Sequence, residues 1–364
     1  MKNILFLAPN KRSFVANRLP FAVSLAARSN VYVVLPKNDY IYESYENIRF
    51  VYVDFDRASL KLGKLYDFLR SLQKKFPTGS IDCIYSYGLY LNLINVIFKL
   101  QRRVDLSITL FTGMGYFFSY TGLKGFLNKL LFTPIVFFIV SVSNKILVQN
   151  STDYRFIMKF TKSSKVLRTH GSGLDINYWR CICRNGDDVL KVIHVSRLLR
   201  EKGIIEYAKL SSKFSKSDKI EFKHYGAFDS KLKGSISKGE IRKEIPNHNI
   251  SFMGNKEEMK SIYCENDILF FPSWREGFSR AVAESMSCGV VPIVWDVPGC
   301  RDAISNNVDG LILPLNDLAT AEKVLRKWLV DRQSLATLSN NAVSKAETFD
   351  VIGINNQILS FIYD

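Results

Sequence analysis

The 364-residue sequence predicts an α/β protein of two domains, each built on a doubly wound parallel sheet. Short apolar runs rich in Val, Ile and Phe recur along the chain without polar alternation, as strands covered on both faces do. Helix-period segments separate these runs. The length suits two cores of about 150 to 200 residues better than one.

In the first half the strand candidates are NILFLAP, VYVVLP, IRFVYVDF, DCIYSYG, SITLFTG and KILVQN. Between the third and fourth, residues 59 to 76 set Leu62, Leu65, Leu69 and Leu72 on one stripe with charges elsewhere, which predicts an amphipathic helix. The second half repeats the alternation with KVIHVS, IEFKHYG, ISFMG, DILFFPS, VVPIVW and DGLILP, punctuated by helix-like GIIEYAKLSSKF and ATAEKVLRKWLV. Gly, Asn and Asp break the pattern over residues 170 to 188. The expected domains are therefore 1–172 and 173–345, with a C-terminal helix over 346–364 packing back on the first. Open parallel sheets bind ligands at the carboxyl ends of their strands, so two facing domains imply a ligand held between them.

Hydrophobic content of 47% and charged content of 23% fit a folded globular chain. Residues 1 to 150 carry 19 Lys+Arg against 8 Asp+Glu, which is +11 of the formal +16. The first domain is therefore expected to face something anionic: nucleic acid, an acidic membrane leaflet or a phosphorylated substrate. No nucleic-acid-binding motif occurs and the basic residues lack aromatic interleaving, which argues against nucleic acid. The six cysteines show neither paired CxxC spacing nor the density of a disulfide scaffold, so reduced thiols in a cytoplasmic protein are expected. Cys181 and Cys183 are too close together to make a tetrahedral metal site alone, the four histidines are scattered, and no metal is expected. NILFLAP is too short for a signal peptide and reads as a first strand.

Residues 123 to 142 depart from the plan. Leu123, Phe126, Leu127, Leu130 and Leu131 stand at helical spacing beside Lys124 and Lys129, and the segment then becomes continuously apolar. The segment is expected to be too short, and too interrupted by Lys129 and Pro134, for a span of about 20 apolar residues. It reads either as a helix lying in a membrane interface with its lysines at the headgroups or as a buried helix of the first domain.

In the second half, the strand KVIHVS leads to Arg197, with Lys202 and Gly203 before a helix. Two cations at a strand end and a helix N-terminus suit a diphosphate, although a solvated loop has the same composition. DILFFPSW reads as a strand, REGFS as a turn, and RAVAESMSCG as a helix with Ala281, Val282 and Met286 inward and Gly289 closing it. Glu276 then sits in the turn and Glu284 about one turn into the helix. Carboxylates there suit sugar or ribose hydroxyls, and the backbone N–H groups of Gly277, Phe278 and Ser279 suit an anion.

These residues resemble the retaining glycosyltransferases of family 4, which have the GT-B fold of two facing Rossmann-like domains. Glu276, Gly277, Phe278, Glu284, Met286, Cys288 and Gly289 match the E-G-F-x5-E-x-M-x-C-G signature. Arg197, Leu198, Lys202 and Gly203 match R-L-x3-K-G, and VPGCRDAI at 297 to 304 with VDG at 308 to 310 matches the loop that follows. The first domain resembles a narrower branch that extends sugars on a polyprenyl diphosphate in bacterial surface polysaccharide or glycan assembly. ANRLPFAVSLA (16 to 26), FTGMGYFFS (111 to 119), VQNSTDYRF (148 to 156) and HGSGLD (170 to 175) carry that likeness.

The resemblance implies that Arg197 and Lys202 hold the donor diphosphate and stabilise the charge of the departing group. It places Glu276 beside the transferred sugar, Glu284 on the ribose, and the N–H groups of Phe278, Ser279 and Arg280 along diphosphate and sugar. Ser279 stands where glycine is common. Asn17, Arg18, Gly113, Gly115 and Tyr116 are the implied acceptor residues. Asn17 occupies a position that is often His in the branch, and no His precedes His170, which excludes a mechanism that needs one in the first domain. Metal and cofactor are expected to be absent, with two cations and a helix N-terminus doing that work. The implied partners are a nucleotide sugar, expected to be UDP-linked, a polyprenyl-diphosphate-linked saccharide and an anionic membrane surface at the inner face of the cell membrane. A GT-B sugar-nucleotide 2-epimerase, or a basic membrane-surface protein without activity, are the alternatives.

Overall fold

The computed structural model of the chain describes residues 1–55, 62–114, 122–181, 188–215 and 217–363. It forms two compact units, Met1–Gly173 with Val351–Asp364, and Leu174–Asp350.

The first unit begins with β1 (Lys2–Leu7), α1 (Lys11–Asn17), α2 (Leu19–Ala26), β2 (Ser29–Pro36) and β3 (Ile48–Val53). There follow α3 (Leu62–Lys75), β4 (Cys83–Tyr87), α4 (Leu89–Leu100), β5 (Leu106–Phe111) and α5 (Gly122–Val142). β6 (Lys145–Val148), α6 (Ser151–Ile157) and β7 (Val166–Arg168) complete its sheet, whose order is β3-β2-β1-β4-β5-β6-β7 with every pairing parallel. Successive residues of β1 serve opposite faces. Ile4 and Phe6 pack with Phe14, Phe21 and Tyr85 on one side, while Leu5 and Leu7 pack with Phe68, Leu72 and Leu91 on the other. That two-sided burial is why the strand carries no polar alternation. The helix α3 buries Phe68 and Leu72 fully and Leu65 and Leu69 partly. β7 was not anticipated, because three residues are too few to show a period.

The helix α5 corrects one expectation. Lys129 and Pro134 do not interrupt it: it runs unbroken for 21 residues, and Gly125–Val142, with a mean hydropathy of 1.8, is long and apolar enough to cross a membrane. The reason is that Pro134 removes one backbone donor without ending the helix. Its two faces differ. Val136, Ile139 and Val140 are buried with Phe111, Ile146 and Val148, whereas Phe126, Leu127, Leu130, Leu131 and Phe137 are each more than half exposed.

The second unit contains α7 (Ile176–Trp179), β8 (Leu190–Val195), α8 (Ile204–Ser211), β9 (Ile220–Tyr225), α9 (Lys238–Glu244) and β10 (Ile250–Gly254). It continues with α10 (Lys260–Cys264), β11 (Ile268–Phe271), α11 (Arg280–Ser287), β12 (Val291–Trp295), β13 (Leu311–Leu313), α12 (Leu318–Val330) and α13 (Arg332–Ala346). Its sheet, again parallel, runs β10-β9-β8-β11-β12-β13. The last helix, α14 (Val351–Tyr363), belongs to the first unit, where Ile354, Ile358 and Ile362 join the face that holds Phe6. Residues 346 to 350 stay with the second unit, anchored by the fully buried Phe349 against the Phe278 ring 5.5 Å away.

In each sheet the chain starts at a central strand, fills one side, then jumps to the other. The resulting switch points lie between β1 and β4 and between β8 and β11. Loops leaving these strand pairs diverge and open a crevice at their carboxyl ends.

The expectation of six reduced thiols is overturned. Cys181 and Cys264 form a disulfide, with Cα atoms 5.7 Å apart and 83 residues between them in sequence. No local spacing could reveal it, because α10 and the segment after α7 meet only through the fold. Cys83, Cys288 and Cys300 are buried and outside disulfides.

Candidate active site

The β8/β11 crevice gathers the residues of the two signatures. Beyond β8, Arg197 is exposed and has no ion-pair partner among the described residues. Gly226 lets this backbone pass, since a Cβ there would lie 1.6 Å from the Ser196 carbonyl oxygen. The chain then makes a 3-10 turn over Arg200–Lys202 and enters α8 through Gly203, at φ +79°. Glycine is required at 203, because a Cβ would stand 2.1 Å from the Pro272 carbonyl oxygen in the loop after β11. That close approach puts Lys202 against the second signature.

Lys202 Nζ donates to Glu276 Oε1 at 2.5 Å, and Ser273 Oγ donates to the same oxygen at 2.9 Å. The ammonium has three donors, so two remain for a ligand. Arg275 pairs with Glu201 just outside, tying the same two loops together a second time. The Gly277 backbone is braced by the loop after β12. Gly299 sits at φ +65° where a Cβ would meet the Gly277 carbonyl oxygen at 2.6 Å, and Ser279 N–H donates to the Gly299 carbonyl.

Ser279 is the N-cap of α11. It is buried, and its Oγ accepts from Val282 N–H. The hydroxyl that replaces the family's glycine is therefore turned into the helix end rather than toward a ligand. In α11, Val282, Ala283 and Met286 are fully buried and Ala281 is partly so; Gly289, at φ +68°, follows the C-cap. Glu284 accepts from Arg280 Nε at 2.6 Å and from Tyr263 Oη at 3.4 Å. Burial raises its carboxyl above the ordinary range, opposed by the Arg280 charge and by both hydrogen bonds. The two glutamates thus occupy separate settings, Glu276 with Lys202 and Ser273, and Glu284 with Arg280 and Tyr263.

Ser273 and Tyr263 were missed in the sequence. Ser273 read as the end of a strand, and Tyr263 reaches Glu284 from another helix with no signature. Next to Tyr263, the Cys288 sulfur lies within 4.8 Å of both disulfide sulfurs and donates to the Trp179 carbonyl. With two sulfurs joined to each other, one thiol remains, too few for a closed metal site.

In the first unit, the Asn17 amide donates to Ser13 O of its own helix. Arg18 is buried, its guanidinium 5.4 Å from the Tyr87 ring centroid and its Nε without a hydrogen-bond partner. Gly113 adopts φ +127° after β5, and Met114 N–H donates to Asp153 Oδ2, linking the FTGMG stretch to the VQNSTD stretch. Gly115 and Tyr116 lie outside the described residues.

The family model described as glycosyl transferases group 1 matches residues 182–345. The chain is 22% identical over 362 residues, 95% of this chain and 94% of the relative, to the N,N'-diacetylbacillosaminyl-diphospho-undecaprenol alpha-1,3-N-acetylgalactosaminyltransferase of Campylobacter jejuni. It is 20% identical over 323 residues, 85% of this chain and 81% of the other, to the Escherichia coli UDP-Gal:alpha-D-GlcNAc-diphosphoundecaprenol alpha-1,3-galactosyltransferase. Its fold matches the sucrose-phosphate synthase of Thermosynechococcus elongatus with a TM-score of 0.82 at 15% identity, over 99% and 98% of the two chains. Residues 182–345 are thus similar to the group 1 glycosyltransferases, and the chain has the GT-B fold.

Proposed function

We propose that the enzyme transfers a hexose or N-acetylhexosamine, with retention, from a UDP-linked donor to a saccharide carried on a polyprenyl diphosphate in surface-glycan assembly. The observation that carries this reading is the Lys202–Glu276 pair across the β8/β11 switch point, next to the exposed Arg197. Support for the acceptor class comes from two relatives aligned over most of their length, both named for undecaprenol-diphosphate substrates, and for the nucleotide from the one named for UDP-Gal.

Arg197 and the two remaining Lys202 donors take the donor diphosphate, whose leaving group gains charge as the glycosidic bond breaks. Glu276, fixed by Lys202 and Ser273, contacts the transferred sugar, and Glu284, fixed by Arg280, takes the ribose hydroxyls. The N–H groups of Phe278 and Arg280 line the diphosphate and the sugar, whereas the Ser279 N–H, expected from the sequence to join them, is committed to the Gly299 carbonyl. Asn17, Arg18 and Gly113 border the acceptor path in the first unit, and Gly115 and Tyr116 belong to the same proposal from sequence alone. The exposed apolar side of α5 lies against the anionic inner leaflet, where its lipid-linked acceptor resides.

The test is transfer from a panel of nucleotide sugars to a synthetic polyprenyl-diphosphate sugar, with product analysis by NMR. An α linkage from a UDP-α-sugar is expected. A β linkage would overturn retention, and transfer only to soluble sugars would overturn the acceptor class.

A further inference from the structure

Half of the chain's four histidines form one buried contact in the second unit. His194 in β8 and His224 in β9 stand directly opposite each other in the parallel register, both fully buried, with their Nδ1 atoms 3.0 Å apart. The other nitrogen of His194, Nε2, is 2.8 Å from the carbonyl oxygen of Lys202.

A carbonyl only accepts, so His194 Nε2 carries the hydrogen. Burial keeps both rings neutral, holding His194 down to about 4 and His224 to about 2, with nearby Lys202 and Lys238 adding to the effect. A neutral His194 protonated on Nε2 presents a bare Nδ1, and His224 Nδ1–H must be the donor to it. His224 Nε2 is then an unprotonated acceptor, and it has no hydrogen-bond partner. The rings are also clamped by packing: His194 stacks on Tyr207 at 5.1 Å and lies 6.0 Å from Phe271, the same ring that the Lys202 ammonium approaches at 5.9 Å.

Simple filling of this space would favour apolar rings, which leave no buried nitrogen unpaired. What the imidazoles add is a directed bond to one peptide group. We infer that His194 and His224 form a hydrogen-bonded strut from the sheet interior to the Lys202 carbonyl, and that this strut positions the Lys202 side chain for the donor. They are positioning residues, since neither touches the ligand. The inference rests on the proposed role of Lys202.

Two measurements test it. Nitrogen-15 NMR of the imidazoles in the full-length protein at neutral pH is expected to give Nε2–H for His194 and Nδ1–H for His224. The opposite tautomers, or a charged ring, would overturn the strut.

The second is kinetic and compares two amides. H194Q carries its amide nitrogen to the position of Nε2 and can still donate to Lys202; H194N carries it only to the position of Nδ1. A misplaced catalytic group costs about tenfold to a hundredfold in rate, so H194N is expected to lose that much kcat while H194Q keeps most of it. Equal loss in both variants, at equal Tm, would mean packing alone and would overturn the inference. K202A serves as the control: if it is silent, the reading of Lys202 fails, and the tautomers still decide whether the strut exists.

Discussion

Lys202 is the residue on which most of the chemistry converges, because its ammonium meets Glu276 and its carbonyl meets His194. K202A is expected to lower kcat by roughly a hundredfold to a thousandfold, the cost of removing one preorganised donor from a developing charge. Its fold should survive, since the side chain is on a loop. Steady-state kinetics and a thermal melt check both, and wild-type turnover would remove Lys202 from the site. Glu284 makes a pH prediction. Its carboxyl is raised by burial, so the folded state binds that proton more readily than the unfolded state does. The contribution to stability is therefore present below the ordinary carboxylate range and is lost as pH rises through the folded value. E284Q removes the titration, so its unfolding free energy should gain on wild type as pH rises above the ordinary glutamate value. Denaturant titrations give the difference, and a flat one refutes it. At this scale the spacing of eight between Glu276 and Glu284 was legible because it rests on a local strand-turn-helix. Ser273, Tyr263 and the histidine pair were not, since each meets its partner only through tertiary contact.

At the scale of elements, burial on both faces made the strands readable as unbroken apolar runs, and β7 escaped because three residues are too few to form one. The Cys181–Cys264 disulfide was invisible for a different reason, its 83-residue separation. It ties α10, the source of Tyr263, to the segment after α7. In the chain-entropy picture a loop of that length is worth about 4.5 kcal/mol. C264S is expected to fall short of the oxidised wild type by roughly 2–4 kcal/mol in denaturant unfolding, and a reductant should erase the gap. If both proteins unfold together without reductant, the bond contributes nothing. For α5, the sequence left the choice between core and membrane open because one helix carries both kinds of face: Ile139 faces the core and Leu130 faces outward. Replacing Leu127, Leu130 and Leu131 with Gln should leave the melting temperature within a few degrees, since none of the three is buried. Transfer to a long-chain lipid acceptor in vesicles should fall while transfer to a short-chain soluble analogue persists. Equal loss on both acceptors would assign these leucines to the fold.

Across the whole molecule, charge follows the division into units more sharply than the sequence count suggested. Residues 1–173 and 351–364 hold 24 Lys+Arg against 10 Asp+Glu, a net +14, and residues 174–350 hold 26 against 24, a net +2. The nearly neutral unit is the one proposed to carry the diphosphate site, so the excess is on the unit that does not hold Arg197 and Lys202. It shares its unit with the exposed side of α5, which fits the membrane-facing role proposed for that unit. Attraction between such a surface and an acidic bilayer reaches only about 10 Å at 0.1 M salt and about 3 Å at 1 M, whereas burial of the α5 leucines does not depend on screening. The two contributions therefore separate experimentally. Flotation of the intact protein with phosphatidylglycerol vesicles should show strong binding at low salt and a steep fall toward 1 M, and phosphatidylcholine vesicles should bind weakly at every salt concentration. The triple Gln variant should keep the salt dependence at reduced affinity. Salt-independent binding equal on both lipids would leave the +14 without a role at the membrane and place the whole attachment on α5.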